Sequence, residues 1–105
     1  MWQICFSDQK KAIEYHEACL NIAKEKGDKI KQESAYGNIG NAYYSLGNFK
    51  KAIVHYELSL KVAEEVGDRG RKRITFINLS KAYENLRDFK KTIEYYELSF
   101  RLPKK

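Results

Sequence analysis

Lys50-Lys51-Ala52-Ile53 stands forty residues after Lys10-Lys11-Ala12-Ile13 and returns forty residues later as Lys90-Lys91-Thr92-Ile93. Outward from these anchors the likeness spreads. Residues 7–28 and 47–68 agree at 10 of 22 aligned positions, too many for coincidence, and both close on Gly-Asp, at Gly27-Asp28 and Gly67-Asp68. Residues 48–61 and 88–101 agree at 8 of 14, with Phe49/Phe89, Tyr56/Tyr96 and Ser59/Ser99 among the matches. The other half of the unit repeats more loosely, Asn38-Ile39-Gly40-Asn41-Ala42-Tyr43 meeting Asn78-Leu79-Ser80-Lys81-Ala82-Tyr83. The chain is built from copies of one unit. A unit too small to bury its own apolar face must stack on its neighbours, and such stacks work as binding surfaces more often than as enzymes.

A chain of 105 residues with 43% hydrophobic content can form a core, and its one proline, Pro103, leaves long stretches open to helix. The expected class is all-α. The formal charge of +6 comes from 20 basic against 14 acidic side chains, so the bias is moderate and interleaved. Its densest stretch, Arg69-Gly70-Arg71-Lys72-Arg73, has two readings: an edge on which Arg69, Arg71, Lys72 and Arg73 bind an anion, or a solvated loop and helix start. Two cysteines, Cys5 and Cys19, make no disulfide framework, which points to a reducing compartment and a cytoplasmic location. Met1-Trp2-Gln3-Ile4-Cys5-Phe6 is apolar but too short for a membrane span or a signal-peptide core, and is expected to pack on the protein.

The apolar spacing places five helices. From Asp8, Ile13, Tyr15 or His16, Cys19 or Leu20, and Ala23 form a stripe that ends at Gly27-Asp28. A second helix is expected over Lys31 to Leu46, a third over Phe49 to Val66, a fourth over Arg71 to Leu86 and a fifth over Phe89 to Leu102, closed by Pro103. Asn48 and Asp88 sit where N-caps belong. Joints this short force successive helices antiparallel.

Tyr36-x2-Ile39-Gly40-x2-Tyr43 followed by Ala52-x3-Tyr56 resembles the tetratricopeptide signature, with Phe76-x2-Leu79-Ser80-x2-Tyr83 and Thr92-x3-Tyr96 as a degraded second copy. Ala12-x3-His16 matches the latter half of a further copy whose first helix is missing or reduced to residues 1 to 6. The forty-residue period and Gly37-Asn38-Ile39-Gly40-Asn41-Ala42-Tyr43 resemble a long-repeat subclass, typified by spindle-orientation adaptors that modulate G-protein signalling. HEAT repeats share the period but not the small residues at Gly40 and Ala52. The resemblance implies one antiparallel helix-pair solenoid with a right-handed superhelical turn, divided into a partial repeat over 1–30, a complete one over 31–70 and a divergent one over 71–105. It also implies that such a short stack leaves its ends open. The first helix is expected to expose Ile13, His16 and Leu20 and the last Ile93, Tyr96 and Phe100, inviting homo-oligomers or helix exchange.

In the resembled fold the first helix of each pair lines a concave groove. Carried over, groove positions fall at Ser34, Gly37, Asn38, Asn41, Tyr44 and Ser45, and at Ile74, Ile77, Asn78, Lys81, Glu84 and Asn85. Asparagine amides both donate and accept, which suits them to the main chain of an extended peptide, and Lys81 favours a carboxylate. Relatives often carry an arginine two residues before the aromatic. Ser34 and Ile74 stand there instead, so an acidic ligand meets an incomplete clamp.

Tyr36, Tyr43, Tyr56, Tyr83 and Tyr96 take packing positions of the repeat, which argues against base stacking on nucleic acid; Tyr44 and Tyr95 are freer. His16 and Cys19 have ligand spacing but lack a second pair to complete a metal site. No Ser-His-Asp, Cys-His or phosphate-loop arrangement is discernible, so no catalytic residue, metal or cofactor is expected. The expected function is a scaffold that holds an extended or helical peptide, possessing a protein partner, acidic in one version, and no membrane. The alternatives are a helical-repeat RNA binder using the 69–73 stretch and a structural spacer within a longer repeat protein.

Overall fold

The computed structural model describes the backbone of residues 2–101 and the side chains of residues 8–101. Five helices follow one another: α1 (Trp2–Lys26), α2 (Lys29–Ser45), α3 (Phe49–Val66), α4 (Arg69–Asn85) and α5 (Phe89–Arg101), with no strand among the described residues. Each packs on the next in sequence. The Cα extents, 39 × 37 × 17 Å, describe a slab about two helices thick, α2 and α4 forming one layer and α1, α3 and α5 the other. This is a solenoid of helix pairs.

The joints explain the strictness of the repeat and show a half-period of twenty residues. Gly27, Gly47 and Gly67 turn the chain with φ of 68°, 79° and 74°, and Arg87 does the same at 65°. At each joint the next residue starts the following helix. The Oδ1 atoms of Asp28, Asn48, Asp68 and Asp88 accept the N–H three residues on, from Lys31, Lys51, Arg71 and Lys91, at 3.1, 3.2, 3.0 and 3.2 Å. The same residues donate their own N–H to the carbonyls of Ala23, Tyr43, Ala63 and Tyr83, which ties off the helix just ended. Capping by Asp28 and Asp68 therefore starts α2 and α4 two residues before the expected Lys31 and Arg71. Residues 2–7 continue α1 and form no separate remnant of a first helix. Their side chains lie outside the described residues, as do Leu102 and the expected stop at Pro103.

The core runs between layers. Leu20 of α1 packs on Ala35 and Ile39 of α2, while Ala52, Ile53 and Tyr56 of α3 pack on Leu79 and Ala82 of α4. Ile39 and Leu79, forty residues apart, are both wholly buried. The expectation that α1 exposes Ile13 and Leu20 is corrected: they are 7% and 8% exposed, and His16 is half-buried, because this stripe faces α2. At the other end Ile93, Tyr96 and Phe100 do stand open, at 58%, 50% and 71%.

Gly40 sets the distance between α2 and α3. A Cβ there would lie 2.7 Å from Cδ1 and Cε1 of Tyr56 and 3.3 Å from the Ala52 carbonyl oxygen. The close approach buries Tyr56, whose hydroxyl donates to Asn41 Oδ1 at 2.6 Å. The corresponding pair, Ser80 and Tyr96, is looser. Ser80 donates to its own helix at Ile77 and Tyr96 is half exposed, so this tyrosine packs less than its repeat position implies. Tyr95 instead packs more, stacking on Tyr83 with ring centroids 5.6 Å apart.

Candidate binding cleft

Capping and packing set α2 and α4 side by side over α3, and between them lies a cleft of about 230 Å³. Its walls hold Ser34, Gly37, Asn38 and Asn41 from α2 and Ile74 and Asn78 from α4, all among the expected groove positions. Arg71, expected on an anion-binding edge, also lines it, with Glu33 and Thr75 beside it and Tyr56 and Ser59 of α3 forming the floor. Tyr44 and Asn85 meet further along the same two helices, where Asn85 Nδ2 donates to the Tyr44 hydroxyl at 2.8 Å and to the Lys81 carbonyl at 3.0 Å. Tyr44 also packs edge-on against Phe49, so it is held rather than free. Lys81, Ser45 and Glu84 are exposed and Ile77 is half-buried, all outside the cleft proper.

One end of the cleft is closed by a polar network. The Glu33 carboxylate is buried, accepting from Ser59 Oγ at 2.9 Å and from Arg71 Nη1. Arg71 Nη1 also donates to Ser34 Oγ at 3.2 Å, while its Nε faces Asp68 Oδ2 at 3.2 Å. Three helices thereby meet at the Glu33 carboxylate, while the planar fork of Arg71 serves Glu33, Ser34 and Asp68 at once. The pairing also neutralises the cation, so Arg71 presents little net charge to the cleft. Lys72 lies 3.9 Å from Glu64, whereas Arg73 and Arg69 are exposed on the first turn of α4.

Glu33 and Ser59 were not legible as a pair in the sequence. The signal that exists is a broken repeat. Forty residues after Glu33 stands Arg73, and Ser99, the counterpart of Ser59, turns back to the Tyr96 carbonyl at 2.6 Å. The buried pair belongs to one unit only.

The amides differ in how they are held. Asn41 accepts from Tyr56 through Oδ1, which leaves its amino group as a donor for other partners. Among the described residues the side chains of Asn38 and Asn78 make no hydrogen bond, Asn38 exposed and Asn78 half-buried at the cleft wall. Desolvation pushes the Tyr56 hydroxyl up to about 12, with the nearby Tyr44 adding to it. Tyr83 of α4 is likewise pushed up to about 12 by burial and by Glu57. No group of three or more His, Cys, Asp or Glu capable of holding a metal occurs among the described residues. His16 packs edge-on against Tyr15, and Cys19 is half-buried. No helix among the described residues is long and apolar enough to cross a membrane. A larger opening, about 500 Å³, lies where Ile13, Glu14 and Glu17 of α1 meet Tyr43 and Leu46, and it contains none of the expected groove residues.

A helix-pair solenoid with small residues at its helix crossings is the architecture of the tetratricopeptide class. The family model described as "Tetratricopeptide repeat" matches residues 3–65 and 31–105, and the chain belongs to that family. A 39-residue stretch is 54% identical to human G-protein-signaling modulator 1 and 51% identical to the mouse protein, covering 37% of this chain. The matched stretch is 6% of those relatives' length. Among solved structures, the TPR domain of Arabidopsis FLU superposes with a TM-score of 0.83 at 17% identity, over 88% of this chain and 77% of that one, which speaks for the fold alone. Domains of this family serve as protein-interaction scaffolds rather than enzymes.

Proposed function

We propose that this chain is a cytoplasmic adaptor module that holds an extended segment of a partner protein in the cleft between α2 and α4. The observation that carries the reading is the pair of unengaged amides, Asn38 and Asn78, on opposite walls of that cleft. An extended peptide offers N–H and C=O groups on both edges, and an amide on each wall can donate to one and accept from the other. Asn41, oriented by Tyr56, adds a donor about one turn from Asn38. The exposed Ile74 gives an apolar side chain something to rest on.

The charge of the cleft bears on the partner. Arg71 is matched by Glu33 and Asp68, so attraction for an acidic side chain falls to the exposed Lys81, about one turn beyond Asn78 on α4 and outside the cleft proper. The partner segment is accordingly read mainly through its main chain, with one carboxylate at most favoured near Lys81. The likeness to a stretch of G-protein-signaling modulator 1 supports an adaptor role.

Peptide-display panning on the protein, with Asn38→Ala/Asn78→Ala in parallel, tests this. Enriched peptides should lose at least tenfold in affinity for the double variant, equivalent to the loss of two neutral hydrogen bonds. Equal binding by a folded double variant refutes it. Single-stranded RNA at low salt serves as the competing ligand; salt-sensitive binding lost with Arg69, Arg73 and Lys81 would instead support the nucleic-acid reading.

A further inference from the structure

We infer that the inner end of the cleft is a socket for one aliphatic side chain of the partner segment, of valine, leucine or isoleucine size, set between Gly37 on α2 and Ile74 on α4. The inference rests on the reading of the cleft as a peptide site and adds to it the kind of residue that the site selects. Two links fix the register of α4 on α2: Arg71 reaches Ser34 towards one end, and Asn85 reaches Tyr44 towards the other. Along that register Ile74 comes level with Gly37, and Asn78 with the turn from Asn38 to Asn41.

The two walls contribute shape there, without charge. Ile74 is 60% exposed, lines the cleft and stands outside both core clusters, an aliphatic side chain that the packing of the fold does not use. Across from it Gly37 has no side chain, and a Cβ at that position would meet only Ser59 Oγ, at 3.7 Å. The space of a side chain is therefore open on α2, opposite an apolar surface on α4. Within about 230 Å³ this leaves room for one branched side chain beside the main chain that carries it.

The polar atoms around the socket are already engaged. Ser59 Oγ donates to Glu33 at 2.9 Å, the Tyr56 hydroxyl to Asn41 at 2.6 Å and Thr75 Oγ1 to the Arg71 carbonyl at 2.8 Å, while Arg71 Nη1 donates to Glu33 and Ser34. A polar side chain entering here would exchange water for groups whose protons are committed elsewhere, and a polar group left short of partners is costly to bury. Charge fares no better. A carboxylate would come near the buried Glu33 and a cation near Arg71, and these two are already paired with each other. An aliphatic side chain needs no hydrogen bond, while the main chain on either side of it turns its N–H and C=O groups to the amides of Asn38 and Asn78. The amides hold the backbone, and the gap between Gly37 and Ile74 reads one residue.

A library of fully randomised displayed peptides, panned on the unaltered protein, is the probe. Enriched sequences should share one position occupied by Val, Leu or Ile, and changing that residue to Ala should weaken binding about tenfold. Ile74→Asn and Gly37→Ala, with helix content unchanged by circular dichroism, should each weaken the aliphatic peptide about fivefold and hardly affect its Ala version, so that the protein and peptide changes are coupled. Peptides that need Asn38 and Asn78 but share no aliphatic position, or that bind Ile74→Asn and Gly37→Ala undiminished, overturn the socket and leave the cleft reading standing. Failure of the folded protein to enrich any peptide overturns both.

Discussion

Replacing Gly40 with alanine should destabilise this protein, although the same change in an ordinary helix stabilises it. In an open helix Gly→Ala gains about 1 kcal/mol of propensity. Here the new methyl group would sit 2.7 Å from two ring carbons of Tyr56 and 3.3 Å from the Ala52 carbonyl. Tyr56 is 3% exposed and held at its far end by the 2.6 Å bond to Asn41, so the ring has nowhere to go unless α2 and α3 part. Overpacking of this kind costs about 1–3 kcal/mol, and losing the Tyr56–Asn41 bond costs about 1 more. Set against the propensity gain, the net loss should be about 2 kcal/mol, or roughly 10 °C in midpoint for a domain of this size. Thermal and urea unfolding followed by far-ultraviolet circular dichroism measures it. Ser80→Gly is the companion variant: the matching position in the next repeat already tolerates a side chain, so it should lose only about 0.5 kcal/mol, the plain propensity difference between serine and glycine. A Gly40→Ala protein as stable as the original would refute the claim that the helix spacing depends on this glycine.

Arg87 is the one residue other than glycine with positive φ among the described residues, and Arg87→Gly should raise stability by about 0.5 kcal/mol, the relief of backbone strain being offset in part by loss of its contact with the Phe89 ring; urea midpoints check it. Arg71→Ala should cost about 2 kcal/mol because Glu33 is left buried with only Ser59 as partner, the half-open guanidinium keeping the loss below that of a wholly buried pair. Adding Glu33→Gln to that variant should recover part of the loss, since no charge is then stranded; a double-mutant cycle reads the coupling. Tyr56 and Tyr83, both pushed up to about 12, should ionise late in an ultraviolet titration of the eight tyrosines. Because folding favours their neutral form, the stability they contribute is complete below the ordinary phenol range near 10 and is lost as pH rises through about 12, so unfolding at high pH should coincide with their ionisation.

Much of this architecture is local and therefore legible in the chain. The forty-residue return of Lys-Lys-Ala-Ile, the apolar stripes and the Gly-Asp and Gly-Asn joints specify helices, turns and the order in which they stack, because capping and periodicity act over a few residues. The family signature carried the groove positions Ser34, Asn38, Asn41, Ile74 and Asn78 to the cleft that the fold brings together. What tertiary structure alone decided are contacts between residues far apart in sequence. Glu33 reaches Ser59 and Arg71 across 26 and 38 residues, and nothing in the spacing announces that a carboxylate will be buried there. The burial of Ile13 and Leu20 follows from which face α1 turns towards α2, a choice periodicity leaves open because a stripe marks a buried face without naming its partner. Repetition gives each helix the same offer of apolar surface, and neighbours in space determine which offers are taken: α4 covers the stripe of α3, whereas the matching stripe of α5 stands open among the described residues.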